Sequence, residues 1–337
     1  MFTVKTLNKI AAVGTDRLDK AFFTINDDSQ TPEAIIVRSA KMADYAFNPE
    51  LLCIARAGAG YNNIPVDKCA EQGIVVFNTP GANANGVKEL VICALLLASR
   101  KITEGIKWVK SSADKGDEVA ALVEKGKSNY VGPEIMGKTL GLIGLGAIGA
   151  KVAKAANALG MTVYGYDPFI SDALKAELEG YVKIVGTLDE LYAAADYISL
   201  HVPCNDATRN TICAESIARM KAGVRIVNIA RGELVNDDDI LAALESGKVA
   251  AYVTDFPDGK MAAADNVIAI PHLGASTPES EDNCAIMAAD QIAEYMLRGN
   301  IVNSVNLPCV TLEKTGAARA VVIRKADVSL GALLDSA

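Results

Sequence analysis

The chain has 337 residues, which is enough for about two domains. Half of the residues are hydrophobic and 22% are charged, a composition typical of a globular protein. The net charge of −8 argues against a nucleic-acid-binding protein, because such proteins carry a basic face. The longest apolar run, residues 90–98, is far shorter than the roughly 20 residues that span a bilayer, and no secretory signal opens the chain. We therefore predict a cytoplasmic protein that acts on small molecules, without nucleic-acid or membrane partners.

The seven cysteines are scattered along the chain and lack the paired spacing of metal sites. We interpret them as reduced thiols and predict no metal site. A redox-sensing cysteine stays open as an alternative, and the pattern does not select one.

In the first hundred residues, three short β-rich runs stand at positions 34–40, 51–58 and 74–80. Helix-compatible segments separate them, a pattern that predicts a parallel sheet. A long helix is predicted over residues 86–101. The more polar residues 102–138 are predicted to bridge two domains.

A dinucleotide-binding pattern follows at residues 139–167. A short apolar strand leads into Gly144, Gly146 and Gly149, and a helix-like segment leads to a second apolar strand that ends in Asp167. The three glycines permit a tight turn, a close approach of the pyrophosphate, and close packing of helix on strand. Asp167 stands 18 residues after Gly149, near the ~20 expected for a carboxylate that binds the ribose. This carboxylate favours NAD over NADP, because it would repel a 2′-phosphate.

Further β-rich segments after Asp167 end in polar or Gly/Pro residues, and ligands bind at the carboxyl ends of strands in such sheets. Three candidates for chemistry stand there: His201, Arg231 and His272. Either histidine could be structural, and Arg231 could belong to a structural ion pair. Functionally, Arg231 would clamp a carboxylate and His272 would exchange a proton while NAD takes a hydride from a 2-hydroxy acid. Residues 278–298 are predicted to form one amphipathic helix, capped near Ser276 or Thr277.

Several motifs together resemble the D-2-hydroxyacid dehydrogenase family. They include RAGAGYNNI (56–64), GKTLGLIGLGAIG (137–149), NIARGELV (228–235), PHLGASTPESEDNC (271–284) and NSVNLP (303–308). The resemblance implies an α/β protein of two Rossmann-like doubly wound domains. Residues 1–100 and 275–310 would form a flavodoxin-like substrate domain, and residues 101–274 an NAD-binding domain.

The resemblance also implies roles for individual residues. Arg231 would orient the substrate and His272 would be the acid/base. The residues that contact the cofactor would be Gly144, Gly146, Ala147, Ile148, Gly149, Asp167, His201, Pro203, Ile229, Ala230, Asp255, Gly274 and Ala275. Those by the substrate would be Arg38, Arg56, Ala57, Gly58, Ala59, Gly60 and Asn78, with Arg38 and Arg56 as candidates for reading a phosphate. The alternative for these two arginines is a surface or domain-pairing role.

The sequence departs from the family pattern in two places. Family members usually carry a glutamate, paired to the histidine, a few residues past the position of Asp255. Here the segment reads DFPDGKM, and Asp258 is the nearest carboxylate that could take this role. Residues 311–337 resemble the start of an ACT-type regulatory module, and we expect no effector site within this chain.

The motif wording is closest to family members that oxidise 3-phosphoglycerate to 3-phosphohydroxypyruvate, the first step of serine biosynthesis. The resemblance implies NAD as cofactor and a homodimer formed through the NAD domain, with residues 101–135 as the contacting arm. Alternatives are a glyoxylate/hydroxypyruvate reductase, a D-lactate dehydrogenase, or a non-catalytic NAD-sensing corepressor-like protein.

Overall fold

A computed structural model describes residues 1–313, 322–323 and 331. The chain divides into two compact units, and each is described separately. The first unit comprises Met1–Asn83 and Thr277–Ala337, and the second comprises Ala84–Ser276. Most of the predicted ACT-like segment, residues 311–337, lies outside the described residues.

The first unit contains five strands: β1 (Phe2–Leu7), β2 (Phe23–Ile25), β3 (Ala34–Val37), β4 (Cys53–Arg56) and β5 (Val75–Phe77). They form one parallel sheet in the order β2-β1-β3-β4-β5, which is the flavodoxin-like order. The three β-rich runs of the sequence correspond to β3, β4 and β5. The sequence interpretation missed β1 and β2, because β1 buries only Val4 fully and β2 only Phe23.

The second unit contains seven strands: β6 (Thr139–Ile143), β7 (Thr162–Tyr166), β8 (Lys183–Ile184), β9 (Tyr197–Leu200), β10 (Val224–Asn228), β11 (Val249–Thr254) and β12 (Val267–Ala269). All are parallel, in the order β12-β11-β10-β9-β6-β7-β8. From β6 the chain first adds β7 and β8 on one side and then returns to add β9 on the other side. Doubly wound sheets bind ligands at this switch point between β6 and β9. The predicted fold class, an α/β protein with two Rossmann-like sheets, is confirmed.

The described residues form the helices α1 (Ala12–Thr15), α2 (Val66–Glu71), α3 (Ala84–Ser99), α4 (Ile102–Ser111), α5 (Val119–Gly126), α6 (Ala147–Ala158), α7 (Asp172–Glu177), α8 (Leu188–Ala194), α9 (Ala214–Arg219), α10 (Asp237–Glu245), α11 (Gly259–Ala263) and α12 (Pro278–Arg298). The predicted helix over residues 278–298 is confirmed as α12. The Thr277 side chain accepts a hydrogen bond from the Ser280 N–H at 3.1 Å and begins it, and Gly299 ends it with a left-handed φ of 67°. None of the described helices is long and apolar enough to cross a membrane.

Helix α3 belongs to the second unit, whereas the sequence interpretation placed residues 1–100 in one domain. Val91 and Leu95 of α3 are fully buried in a core that includes residues of β6 and β10. At its carboxyl end, the Arg225 side chain donates to the Ala98 carbonyl at 2.9 Å, and the Tyr197 hydroxyl lies 2.8 Å from the Ser99 hydroxyl. The segment predicted to bridge two domains instead forms α4 and α5 of the second unit.

The segment after α12 covers the edge of the first sheet. Asn306 accepts a hydrogen bond from the Val76 N–H at 2.9 Å and donates to the Ile74 carbonyl at 2.8 Å. Both groups belong to the edge strand β5 or the residue before it, and an edge leaves such groups unpaired. The motif NSVNLP therefore has a structural role, since its second asparagine closes the sheet.

Candidate active site

The glycine loop after β6 has the shape of a dinucleotide cradle. Gly144 has a φ of 96°, and a Cβ there would lie 2.6 Å from the His201 carbonyl oxygen. A Cβ on Gly149 would lie 2.1 Å from the Gly144 carbonyl oxygen. Gly146, the N-cap of α6, faces open space and is exposed. The first and third glycines are thus fixed by packing, and the second leaves room for a ligand at the helix N-terminus.

Ala147 and Ile148 form the first turn of α6, where helix geometry leaves backbone N–H groups free to bind a phosphate. Asp167 directly follows β7, the strand that pairs with β6. Its carboxylate accepts from the Leu145 N–H and from the Phe169 N–H, both at 2.9 Å. These two bonds fix the carboxylate beside the glycine loop. The arrangement fits NAD: a pyrophosphate would lie on the loop and a ribose hydroxyl would donate to Asp167.

His201 follows β9 at the point where the sheet reverses. Its N–H donates to the Ile143 carbonyl at 2.7 Å, and its Nε2 lies 3.0 Å from the Ser199 hydroxyl. Burial of the imidazole lowers the pKa of His201 to about 4. The ring therefore stays neutral near pH 7, as a packed element beneath the glycine loop. Pro203 lies in the exposed turn that follows, where its carbonyl accepts from the Thr208 hydroxyl at 2.6 Å.

Asn228 holds the loop that carries Arg231. Asn228 is completely buried at the end of β10. Its side-chain oxygen accepts from the N–H groups of Ala230 at 3.2 Å and Arg231 at 3.3 Å, and its amide donates to the Arg231 carbonyl at 2.8 Å. The half-buried Arg231 guanidinium donates to the Ala230 carbonyl at 2.6 Å. Because Asn228 satisfies three backbone groups, the position of Arg231 is fixed by the sheet.

Asp255 holds the loop that carries His272. Its side chain, 1% exposed at the end of β11, accepts from the Leu273 N–H at 2.7 Å and from the Gly274 N–H at 2.8 Å. Its backbone carbonyl accepts from the His272 N–H at 3.1 Å. His272 adopts a left-handed φ of 53°, which is uncommon for a residue other than glycine, and it is exposed. Three hydrogen bonds to one residue thus maintain this strained turn.

The segments that follow β10, β11 and β12 meet at the carboxyl end of the second sheet. The Asp255 N–H donates to the Asn228 carbonyl at 3.1 Å. A Cβ on Gly274 would lie 3.1 Å from a methyl group of Ile229 and 3.2 Å from the Asp255 carboxylate. Ile229, Asp255 and Gly274 are therefore in one cluster, and the half-buried Ala275 follows Gly274 directly. Their predicted place at the nicotinamide end of the cofactor stays a prediction.

The sequence interpretation offered Asp258 as the carboxylate that pairs with His272. The structure gives Asp258 a different role. Asp258 is the N-cap of α11, and its carboxylate accepts from the Met261 N–H at 2.8 Å. Within residues 1–313, none of the ion pairs includes His272. The reason is local: the chain turns into α11 three residues after Asp255, and the first turn of that helix needs an acceptor.

The two arginines proposed to read a phosphate lie at the same edge of the first sheet. Arg56 ends β4 opposite Val37 of β3, and Arg38 is the next residue. Arg38 makes a 2.6 Å ion pair with Glu281, and its loop is held by the Asn8 side chain, which accepts from the N–H groups of residues 38–40. Burial raises the pKa of the Cys284 thiol, and both guanidinium groups oppose that rise. The charges of Arg38 and Arg56 are therefore both close enough to Cys284 to affect its thiol.

The residues 57–60 and Asn78 also come together in the first unit. The Asn78 side chain donates to the Ala59 carbonyl at 2.7 Å, and the Thr79 N–H donates to the Gly58 carbonyl at 3.1 Å. Gly58 has a φ of 150°, and a Cβ there would overlap the Arg56 guanidinium. Only glycine at position 58 leaves space for the Arg56 side chain, which explains the glycine at the centre of the RAGAG motif. Ala57 and Gly60 complete this loop.

Two residues of the site were not predicted. Asn228 could have been found, because an amide directly after a buried apolar strand needs hydrogen-bond partners in the next turn. The other is Phe256, whose ring lies 4.7 Å from the His272 ring, centroid to centroid. Among the described residues, no group of three or more His, Cys, Asp or Glu side chains could hold a metal ion.

Comparison with known proteins identifies the family of this chain. The family model "D-isomer specific 2-hydroxyacid dehydrogenase, NAD binding domain" matches residues 92–274. The chain belongs to this family. The matched region contains the glycine loop, Asp167, Arg231 and His272, and NAD is therefore the cofactor.

The relatives differ in their named substrates. The D-3-phosphoglycerate dehydrogenase of Methanocaldococcus jannaschii is 40% identical over 79% of this chain and 50% of that protein. The hydroxypyruvate reductase of Thermotoga maritima is 41% identical over 77% of this chain and 83% of that protein. A solved NAD+-bound 3-phosphoglycerate dehydrogenase of Entamoeba histolytica has a TM-score of 0.72 and 27% identity, over 90% of this chain and 98% of that one. The chain spans about half the length of the curated D-3-phosphoglycerate dehydrogenases it matches.

We predict that Asp255→Asn destabilises the protein by roughly 2–4 kcal/mol. The asparagine NH₂ group would face a backbone N–H that donates a hydrogen bond to the carboxylate in the wild type, so two donors would oppose each other. Urea unfolding measures the change in the free energy of unfolding. Asp265→Asn is the matched control, since Asp265 is exposed in the same unit. Equal stability of the two variants would show that the carboxylate does not hold the 273–274 backbone.

The lowered pKa of the half-buried His201 imidazole predicts a pH dependence of stability. Its pKa is about 4 when folded, whereas an ordinary imidazole titrates near 6.5, so between these values the unfolded chain binds the additional proton. The free energy of unfolding should therefore fall as the pH drops through this window, by at most about 3 kcal/mol. Urea unfolding at pH 7, 5.5 and 4.5 should show a smaller fall for His201→Gln than for the wild type or His272→Gln. The same fall in all three proteins would contradict the prediction.

Proposed function

We propose that this protein oxidises 3-phospho-D-glycerate to 3-phosphohydroxypyruvate with NAD, the first step of serine biosynthesis. One observation carries the proposal: the Arg231 and His272 loops are held to adjacent strand ends by two buried polar side chains, Asn228 and Asp255. Both loops belong to the unit that contains the glycine cradle.

The chemistry assigned to each side chain follows from its type. Arg231 binds the substrate carboxylate through two parallel hydrogen bonds and so orients the neighbouring C2. The His272 imidazole, exposed at the end of its loop, takes the proton of the C2 hydroxyl. Bound NAD supplies the hydride acceptor. Asn228 and Asp255 do not react; they hold the backbone that carries the guanidinium and the imidazole.

The choice of 3-phosphoglycerate among 2-hydroxy acids rests on two further observations. Four curated relatives, 34% to 40% identical to the chain, are named D-3-phosphoglycerate dehydrogenase. In the first unit, Arg56 ends β4 and Arg38 directly follows its β3 partner Val37, an arrangement suited to a phosphate. We propose that these two arginines give the preference for the phosphorylated substrate.

Hydroxypyruvate reduction is the second candidate. The relative named hydroxypyruvate reductase is 41% identical, and the chain covers 83% of it. The same Arg231 and His272 would serve this reaction in the reverse direction, with His272 donating the proton to the C2 oxygen. The two candidates differ in the need for a phosphate on the substrate.

We also propose that two copies of the chain associate through residues 101–135. Ile102, Ile106 and Val109 form an exposed apolar stripe on α4, and Ile106 is 50% exposed. They line a groove of about 480 Å³ together with Tyr130, whose ring stacks on Trp108. An exposed apolar stripe on an ordered helix is typical of an interface.

A substrate panel tests the proposed function. The purified chain is incubated with NAD and 3-phosphoglycerate, D-glycerate or D-lactate, and with NADH and hydroxypyruvate or glyoxylate, while NADH absorbance is followed. We expect the highest kcat/KM with 3-phosphoglycerate. We expect Arg231→Ala to lose about 10²-fold or more in kcat/KM on every substrate, because the carboxylate clamp is gone.

Arg56→Ala separates the phosphate from the carboxylate: its loss should be confined to 3-phosphoglycerate. An equal loss on D-glycerate would contradict the role proposed for Arg56. A preference of the wild type for hydroxypyruvate would favour the second candidate. Binding of NAD without turnover on any substrate would favour a non-catalytic NAD sensor.

Replacement of the stripe on α4 tests the proposed dimer. Ile106→Asp places a charge in the apolar groove and should separate the dimer. In analytical ultracentrifugation, the variant should sediment as a monomer and the wild type as a dimer. Lys107→Asp, at the neighbouring exposed position of the same helix, is the control and should leave the dimer intact. A wild type that sediments as a monomer would refute the proposal.

A further inference from the structure

Phe256 lies between the two loops of the candidate active site. It follows Asp255 at the end of β11 and is half-buried. Its ring centroid lies 4.7 Å from that of His272, with the planes tilted by 50°. A Cβ on Gly232, the residue after Arg231, would lie 3.3 Å from the Cβ of Phe256. One side chain therefore contacts the histidine and approaches the loop of the arginine.

The position of Phe256 itself is fixed. Its N–H donates to the Thr254 hydroxyl at 3.1 Å, and the preceding residue, Asp255, makes the hydrogen bonds to the 273–274 backbone. Glycine at position 232 leaves room for the Phe256 Cβ, since a larger residue there would crowd it. The backbone that carries the ring is thus fixed at the carboxyl end of β11, while the backbone of His272 is held separately.

The His272 side chain has no carboxylate to orient it in the described part of the chain. Asp258, the nearest acid in sequence, caps α11. The imidazole is exposed, so water alone would leave its side-chain torsions unrestricted. Aromatic pairs at this separation prefer defined tilted geometries, so the Phe256 ring restricts the orientation of the imidazole.

We propose that Phe256 is a positioning residue, which sets the orientation of the His272 imidazole next to the loop of Arg231. The inference rests on the proposed function, in which His272 exchanges the proton. Proton transfer requires the imidazole within hydrogen-bond reach of the hydroxyl, and a misplacement of about 1 Å can cost about 10² in rate. The aromatic ring takes the orienting role that a paired carboxylate would otherwise have.

Steady-state kinetics test the role of the ring. Phe256→Leu removes the ring and keeps an apolar side chain, and Phe256→Tyr keeps the ring. We expect Phe256→Leu to lose about 10- to 100-fold in kcat, with KM for 3-phosphoglycerate and the Kd for NAD changed less than about twofold, because substrate binding by Arg231 and the cofactor cradle are intact. Phe256→Tyr should retain most of the kcat. Phe22→Leu is the control for loss of a half-exposed phenyl ring, 49% exposed in the first unit.

A slower chemical step has a further signature that a general loss of structure would not produce. With substrate deuterated at C2, the isotope effect on kcat should be larger for Phe256→Leu than for the wild type, because hydride transfer then limits the rate more fully. Wild-type kcat in Phe256→Leu, an equal loss in Phe256→Tyr, or a parallel weakening of NAD binding would each overturn the positioning role.

NMR tests the contact without any need for turnover. The chain has two histidines, so His272→Gln assigns their imidazole signals. The Phe256 ring current should displace the His272 ring protons, and this displacement should vanish in Phe256→Leu and persist in Phe256→Tyr, with His201 as the internal control. Unchanged His272 signals in Phe256→Leu would refute the contact. A wild type that shows the contact but no turnover would instead refute the proposed function.

Discussion

The candidate site depends on a buried carboxylate that accepts two backbone N–H groups. Asp255 stands at the end of β11, and both of its oxygens are occupied by the segment directly after His272. A buried carboxylate is costly unless its oxygens are satisfied, and backbone N–H groups satisfy it without mobile side chains. The turn of His272, with its left-handed φ, is stable because this carboxylate determines the path of the backbone on its carboxyl side.

Asn228 repeats this principle one strand away. It uses an amide because the loop of Arg231 offers both N–H groups and a carbonyl, and an amide can accept and donate. The two clamps are joined through the bond from the Asp255 N–H to the Asn228 carbonyl. Parallel strands bring their carboxyl ends to one edge of the sheet, so two residues far apart in sequence present their loops side by side. The sheet supplies rigidity, and the loops carry the reactive groups.

Much of the fold could be predicted from the sequence, because its signals are local. The glycine loop and the Thr277 cap of α12 follow from short motifs, and β3 to β5 follow from apolar runs. Strands β1 and β2 lack such runs because little of them is buried. Helix α3 could not be assigned to its unit, since its apolar face would suit either sheet. Contacts made by Arg225 and Tyr197, more than ninety residues away, decide it.

The site residues show the same division between local and tertiary information. Motifs indicated Arg231 and His272, whereas the function of Asp258 as a helix cap depends on where the chain turns into α11. Asn228 and Phe256 act through contacts that form only when β10, β11 and the following loops are side by side. The roles of the first-unit residues Arg38 and Arg56 still rest on resemblance and on their adjacency at the ends of β3 and β4.

The most direct measurement is a crystal structure of the chain with bound NAD. We predict that the pyrophosphate lies on the loop Gly144–Gly149 and that the nicotinamide ring lies beside the Arg231 guanidinium and the His272 imidazole. Asp255 should keep both bonds to the 273–274 backbone. A nicotinamide ring remote from these two side chains, or an Asp255 carboxylate released from that backbone, would contradict the central claim.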